Sequence, residues 1–371
     1  MRVPVNNIVL GNDEKILLLE CLKENFISSQ GKFIKKFEED FASLVQRKYA
    51  TSVVNGTAAL QLAVESLNLK KGDEVILPSF TIISCILPVI RCGLKPVLID
   101  SDPVTWNMDI NLVKKNISKK TKLIIAPHIY GLPVDMTPLL KLAKDNNIKI
   151  IEDAAEALGM TYKGVPCGSF GDVSTFSFYA NKHITTGEGG MVVTNSKKIN
   201  YICSNLKNLS FSVKRRFFHH SLGWNYRFTN IQAALGLAQL KKIDDHIKKK
   251  RLIGKIYNEG LSNLSTIQLP LSFTNYSENI YWVYGVVLKK NAKITRKELI
   301  KKLSSSGIET RNFFWPMHKQ PIFKKMNLFK KIKLPVAENL ANNGFYLPSG
   351  LAITLKQQKY VISKLKNFLN E

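Results

Sequence analysis

Three short segments hold residue types that could act together on one small anionic molecule. The run Val173-Ser174-Thr175-Phe176-Ser177-Phe178-Tyr179-Ala180-Asn181-Lys182 leaves a strand pattern and places a lysine in the loop beyond it. The loop returns to a strand through Gly187-Glu188-Gly189-Gly190, which sets Lys182 apart from the many solvated lysines of this chain. A lysine taken out of water loses its proton more readily and becomes an amine nucleophile. The second segment, Ile150-Ile151-Glu152-Asp153-Ala154-Ala155-Glu156, ends an apolar run in carboxylates. Ligands of open α/β sheets bind at the carboxyl ends of strands, and a carboxylate buried there needs a cationic or hydrogen-bonding partner. A pyridinium nitrogen is such a partner, and its protonation makes the ring an electron sink. A lone Asp at this place could equally cap the next helix. In the third segment, Asn55-Gly56-Thr57, a strand pattern gives way to a helix pattern. A helix start offers free N–H groups to a phosphate, although the same residues also make an ordinary turn with Thr57 as N-cap.

The elements that must position these residues alternate. Strand patterns fall at Thr51–Val54, Glu74–Pro78, Pro96–Asp100, Lys122–His128, Lys149–Asp153, Val173–Tyr179 and Met191–Thr194. Continuous apolar runs such as Val75-Ile76-Leu77 and Leu123-Ile124-Ile125 predict strands buried on both faces of a mainly parallel sheet. Helix patterns lie between them at Thr57–Leu67 and Pro138–Asn146, which is the α/β signature. A single long helical stretch is expected from Thr229 to Leu261. Beyond it, a strand pattern at Tyr281–Leu288, a helix at Thr295–Ser305, a strand near Ile308–Phe314 and a terminal helix from Leu355 predict a smaller α+β unit. The expected division is a large α/β domain over residues 1–245 and a small α+β domain over residues 246–371.

Composition bounds the function classes. With 45% hydrophobic and 22% charged residues, the 371-residue chain reads as globular. No apolar run is long enough to span a bilayer, and the first residues lack a signal-peptide pattern, so a cytoplasmic location is expected and no membrane partner. The five cysteines form no CxxC pair, which argues against a disulfide frame and a structural zinc site; no metal is expected. The formal charge of +26 is carried mostly by lysines scattered along helix patterns, without a zinc finger or a stacking aromatic motif. It fits an anionic small substrate better than nucleic acid.

With these segments in view, the chain resembles the DegT/StrS-type nucleotide-sugar aminotransferases. The likeness runs from Phe26-Ile27-Ser28-Ser29-Gln30-Gly31 to Phe314-Trp315-Pro316-Met317-His318. It includes Glu152–Ala157, Asn181-Lys182, Ile184–Gly190, Asn225-Tyr226-Arg227 with Thr229-Asn230, and Gly307–Arg311. The resemblance implies the fold-type I architecture of pyridoxal 5′-phosphate transferases. It implies that Lys182 carries the cofactor as a Schiff base and moves the proton, and that Asp153 holds the pyridinium nitrogen. Glu156 would sit near the ring hydroxyl, and Gly56, Thr57 and Ser177 would bind the phosphate. Asn225 would reach that phosphate from the neighbouring subunit of a homodimer. Substrate contacts are implied at Ser29, Tyr226, Arg227, Arg311 and His318, with basic residues around Lys214-Arg215-Arg216 as further candidates.

Within the family the likeness is to the branch that makes GDP-perosamine. It implies amino transfer from L-glutamate to a nucleotide-linked 4-keto-6-deoxy sugar, GDP-4-keto-6-deoxymannose foremost. The alternatives are another keto-sugar nucleotide (UDP- or dTDP-linked, 3- or 4-keto), a small phosphorylated ketone, or, in another class, an inactive regulatory or nucleic-acid-binding homologue. Related sugar dehydratases carry histidine at the cofactor position, so Lys182 favours amino transfer. One departure stands out. Pro78-Ser79-Phe80-Thr81 is followed by Ile82 where the family usually has an aromatic residue, and Leu87 replaces a usual asparagine. Unless Phe80 turns inward, that face of the pocket is expected to be aliphatic.

Overall fold

The computed structural model describes residues 1–212, 215 and 217–370. Seven strands make the large sheet. They are β1 (Tyr49–Val53), β2 (Glu74–Pro78), β3 (Lys95–Ile99), β4 (Thr121–Pro127), β5 (Lys149–Asp153) and, after a hairpin of β6 (Thr161–Tyr162) and β7 (Val165–Pro166), β8 (Val173–Ser177) and β9 (Gly190–Thr194). Their order is β1-β9-β8-β5-β4-β2-β3. The pairs from β3 to β8 are parallel, and β9 runs antiparallel between β8 and β1.

Alternate residues of the same strand feed two cores. Ile76, Ile124, Ile150 and Met191 face one side, while Val75, Leu77, Leu123, Ile125, Ile151 and Val192 face the other. The helices Lys32–Leu44, Met136–Asp145 and Asn230–Leu240 cover the first face, and the helix Gly56–Ser66 is buried on the second. This two-sided burial is why the strands read as unbroken apolar runs. On the first face an aromatic cluster forms around Phe37, whose ring centroid lies 5.2 Å from Phe178 and 5.9 Å from Phe41 and Phe228.

The N-cap of the helix Gly56–Ser66 is Asn55, whose side-chain oxygen accepts from the Ala58 N–H; Thr57 is therefore inside the helix rather than at its cap. The stretch expected as one helix from Thr229 to Leu261 is two, Asn230–Leu240 and Ile243–Leu261. The turn between them contains neither glycine nor proline. Lys242 makes it by donating its N–H to Gln239 O, and its ammonium reaches back to Asp13 and Glu14.

The smaller C-terminal domain carries an antiparallel sheet of β10 (Ile267–Gln268), β11 (Tyr284–Leu288), β12 (Arg311–Asn312) and β13 (Gly344–Leu347), in the order β10-β11-β13-β12. Only Arg311–Asn312 of the expected strand near Ile308–Phe314 pairs with this sheet, because Ile308 bridges Val3 instead. Val3 thus joins a core with Ile308, Tyr257, Tyr284 and Leu365. Among the described residues no helix is long and apolar enough to cross a membrane.

Phe37→Ala is expected to destabilise the chain by about 3–5 kcal/mol through the cavity left between Phe41, Phe178 and Phe228. Urea denaturation followed by circular dichroism checks it; a loss below about 1 kcal/mol would contradict the packing described.

Candidate active site

The crevice forms where β4, β5 and β8 end side by side. Asp153 is the last residue of β5, in register with Pro127 of β4 and Thr175 of β8. Its Oδ1 accepts from the Ala155 N–H at 3.2 Å and the Thr175 hydroxyl at 3.3 Å, and its Oδ2 accepts from the buried Cys85 thiol at 3.2 Å. These donors hold the carboxylate facing the crevice, where any cation that arrives completes its coordination. The neighbouring Glu152 points to the other face of the sheet. It takes hydrogen bonds from His128 Nε2, the Ser174 hydroxyl and the N–H groups of Gly168, Phe170 and Gly171. That carboxylate braces the sheet and has no capacity left for a ligand.

Glu156 follows in the turn after β5 and is buried. Its Oε2 accepts from the Tyr130 N–H at 2.8 Å, and burial pushes the carboxyl up to about 8. Tyr130 aims that N–H from a left-handed backbone conformation, φ 55°, which a non-glycine residue adopts only at some energetic cost. Oε1 of Glu156 lies 4.0 Å from Lys182 Nζ.

Lys182 enters from the loop between β8 and β9. Its side chain is 11% exposed, and burial pulls the amine down from its usual range, against the pull of Glu156 and Asp153. Nζ stands 3.6 Å from the ring centroid of Trp282, whose Nε1 donates to Asn181 O at 2.9 Å. The loop can return so tightly because β9 begins with glycine. A Cβ at Gly190 would lie 2.4 Å from Asn55 O, so any side chain there would push the loop off the helix start.

At the other end of the crevice the helix Gly56–Ser66 begins, and Gly56 and Thr57, whose N–H groups have no partner within their own helix, line the cavity. Ser177 closes the cradle; a Cβ at Gly56 would sit 2.9 Å from Ser177 Cβ and fill it. The Thr57 and Ser84 hydroxyls are linked at 2.8 Å beside it. Gly56, Thr57, Ser84, Ser177, Asp153, Glu156, Lys182 and Trp282 all line one cavity of about 430 Å³. An anion cradle at one end, a carboxylate in the middle and a desolvated amine fit a phosphorylated pyridine aldehyde.

Not every expected residue joins this cavity. Asn225 lies outside it, with its Oδ1 accepting from Arg227 Nε at 2.9 Å. Tyr226 stacks on Trp224, rings 4° apart in plane. Arg227 and Ser29 line a separate cavity of about 410 Å³ with Lys207 and Asn208. Arg311 is exposed on β12, opposite Tyr346, which does line the main cavity. A substrate contact at His318 does not match its position. The ring is buried away from the cavity, Nδ1 accepts from the Ser79 hydroxyl, and Nε2 donates to Glu338 at 3.0 Å. Lys214 and Arg216 lie outside the described residues, and the Arg215 guanidinium rests over the Phe218 ring. Phe80 turns away from the cavity to pack on Tyr130, Phe313 and Phe314, leaving Ile82, 43% exposed, on the cavity wall. Sequence reading missed Ser84, Tyr130, Trp282 and Tyr346. Only Ser84 carried a signal, as a hydroxyl in the turn that holds Thr81.

GDP-perosamine synthase of Escherichia coli O157:H7 is 41% identical over 369 residues, covering 100% of this chain and 99% of the relative. GDP-perosamine synthase of Vibrio cholerae is 38% identical, covering 99% of each chain. Among solved structures, an aminotransferase from Psychrobacter cryohalolentis superposes with a TM-score of 0.93 at 27% identity, covering 99% of this chain and 100% of its own. The family match spans residues 9–366, and the chain belongs to the DegT/DnrJ/EryC1/StrS aminotransferase family, a family of pyridoxal-phosphate-dependent sugar aminotransferases.

Proposed function

We propose that this chain moves the amino group of L-glutamate onto GDP-4-keto-6-deoxymannose, giving GDP-perosamine. The observation that carries amino transfer is the placement of Lys182 Nζ, desolvated and 4.0 Å from Glu156, in the cavity that also holds Asp153 and the Gly56 helix start. The sugar assignment is supported by three relatives named GDP-perosamine synthase, 38–41% identical over nearly the whole chain.

Bound here, pyridoxal phosphate supplies an aldehyde for amines and an electron-poor ring that stabilises a carbanion next to it. The residues of this chain do the rest. Gly56, Thr57 and Ser177 hold the phosphate, with hydroxyls and helix N–H groups meeting its charge. Asp153, fixed by Cys85, Thr175 and Ala155, keeps the ring nitrogen protonated. Lys182 would anchor the cofactor and, once released, its Nζ would carry a proton from the amino-acid α-carbon to the cofactor's aldehyde carbon in one half-reaction and from there to the sugar carbon in the other. Its lowered basicity suits both jobs, since an amine titrating nearer neutrality exchanges protons more readily at working pH. Glu156, its carboxyl pushed up by burial, would hold a proton near the ring hydroxyl. Trp282, Phe314 and Tyr346 shield the cavity from water.

A second copy of the chain completes the site in this reading. Asn225 sits outside its own cavity, in the same segment as Leu222, which is 94% exposed. In a homodimer Asn225 of the partner subunit would meet the cofactor phosphate, and Tyr226, Arg227 and Ser29 would border the nucleotide. The formal charge of +26 favours such an anionic ligand. Ile82 on the cavity wall keeps a second reading open, amino transfer to another keto-sugar nucleotide.

Incubation with pyridoxal phosphate is expected to give an absorbance band near the visible edge in the wild type and none in Lys182→Ala. A band of equal strength in that variant would remove Lys182 from its role. A panel of keto-sugar nucleotides with glutamate, scored by product mass, is expected to show the GDP-linked amino sugar; turnover of dTDP-linked sugars alone would overturn the GDP assignment. A third outcome concerns pH. The Glu156 carboxyl is raised from 4.5 to about 8 in the folded chain, so folding binds an extra proton between these values and stability falls as pH rises through that window. In cofactor-free protein, Glu156→Gln should therefore gain melting temperature over wild type as pH rises from 4.5 towards 8, and no further above it. A gain independent of pH would contradict the raised carboxyl.

A further inference from the structure

Behind the Lys182 loop stands a lysine that the chemistry above does not use. Lys250 projects from the helix Ile243–Leu261 and is 4% exposed. Its Nζ donates to the Trp282 carbonyl at 2.8 Å and to the Ser349 carbonyl at 2.6 Å, and among the described residues no carboxylate pairs with it. Burial pulls its ammonium down to about 7. A buried cation met only by carbonyls is a costly way to fill space that a methionine would fill with less penalty.

The two carbonyls explain what the ammonium holds. Trp282 lies just before β11 and Ser349 just after β13, so Lys250 ties the two chain segments at one point. Trp282 is pinned from other sides as well. Its Nε1 donates to Asn181 O, and a Cβ at Gly131 would lie 2.6 Å from its backbone nitrogen. Thus fixed, the indole presents its face to Lys182 Nζ at 3.6 Å.

An anchoring lysine that also carries protons is free for part of each cycle, and once it has taken a proton the buried ammonium needs a partner. Glu156 is a poor one, since burial keeps its own carboxyl largely protonated. A ring face attracts a cation most strongly where water is excluded. We propose that Trp282 and Lys250 are positioning residues for Lys182: the indole receives Nζ when the free lysine carries a proton, and Lys250 keeps the indole in place. The proposal rests on Lys182 being the cofactor anchor.

Other titratable groups face the same space. Asp153, Glu156, Glu188, Tyr179 and Tyr346 line the cavity, with Cys85 behind Asp153, while His183 and His246 lie beside Lys250. None of them is removed when Trp282 or Lys250 is changed, so the variants differ from wild type at that pair alone.

The test follows the absorbance band that forms when cofactor-free protein meets pyridoxal phosphate, measured from neutral to alkaline pH. The pH midpoint of its formation rate reads the basicity of free Lys182. Leucine keeps the burial and removes the ring, so Trp282→Leu should lower the midpoint by about one pH unit. Trp282→Phe, which keeps a ring face and is expected to fold without difficulty, should lower it by less than half as much. Lys250→Met should also lower it, and the double variant should shift no further than Trp282→Leu alone. An unshifted midpoint in both Trp282 variants overturns the indole's part. An upward shift in Lys250→Met, as loss of a repelling charge would give, or additive shifts in the double variant, overturns that of Lys250. Absence of the band in wild type would remove the anchor reading and this proposal together, whereas a normal band with unshifted midpoints removes this proposal alone.

Discussion

A buried amine and two buried carboxyls share one crevice at the ends of β4, β5 and β8, and the rest of the fold serves to keep them there. Left to themselves, Lys182, Asp153 and Glu156 would be hydrated, and the cost of drying them is visible in their environment. The amine is pulled down and the Glu156 carboxyl is pushed up. Such opposed shifts arise where burial outweighs the attraction between unlike charges. They are tolerable because donors are fixed in advance: Cys85, Thr175 and Ala155 around Asp153, and the Tyr130 N–H on Glu156.

The sheet supplies that fixity. Parallel strands buried on both faces bring their carboxyl ends to one edge, and β9 then runs antiparallel so that the loop carrying Lys182 folds back over it. Gly190 and Gly56 are small where the loop, the helix start and β8 converge. Below the sheet, the aromatic cluster of Phe37, Phe41, Phe176, Phe178 and Phe228 sets the level of β8 and the start of the loop. The smaller domain contributes Trp282 and Tyr346 from above, so the cavity lies between the two domains.

Much of this was legible from residue order, and for physical reasons. Runs such as Leu123-Ile124-Ile125 have one stable solution, a strand covered on both faces. The end of such a run in Asp153, a glycine at a strand-to-helix turn, and Lys182 before Gly-Glu-Gly-Gly therefore pointed to one crevice. What stayed hidden depends on contacts distant in sequence. The break at Lys242 is made by Asp13 and Glu14, without a local breaker. Trp282 sits in an apolar stretch that reads like any strand, and its place over Lys182 is set by Lys250, Gly131 and Asn181. His318 has the chemistry of a ligand, yet Ser79 and Glu338 occupy both of its nitrogens. Asn225 lies outside the cavity and bonds to Arg227 of its own chain.

The chemistry depends on which amine takes the cofactor, and Lys250 is a second buried amine whose ammonium is pulled down to about 7. Borohydride reduction of the pyridoxal-phosphate-loaded protein, followed by peptide mass mapping, decides it. A phosphopyridoxyl group is expected on Lys182 and on no other lysine. The label on Lys250, or spread over surface lysines with Lys182 unmodified, would contradict it.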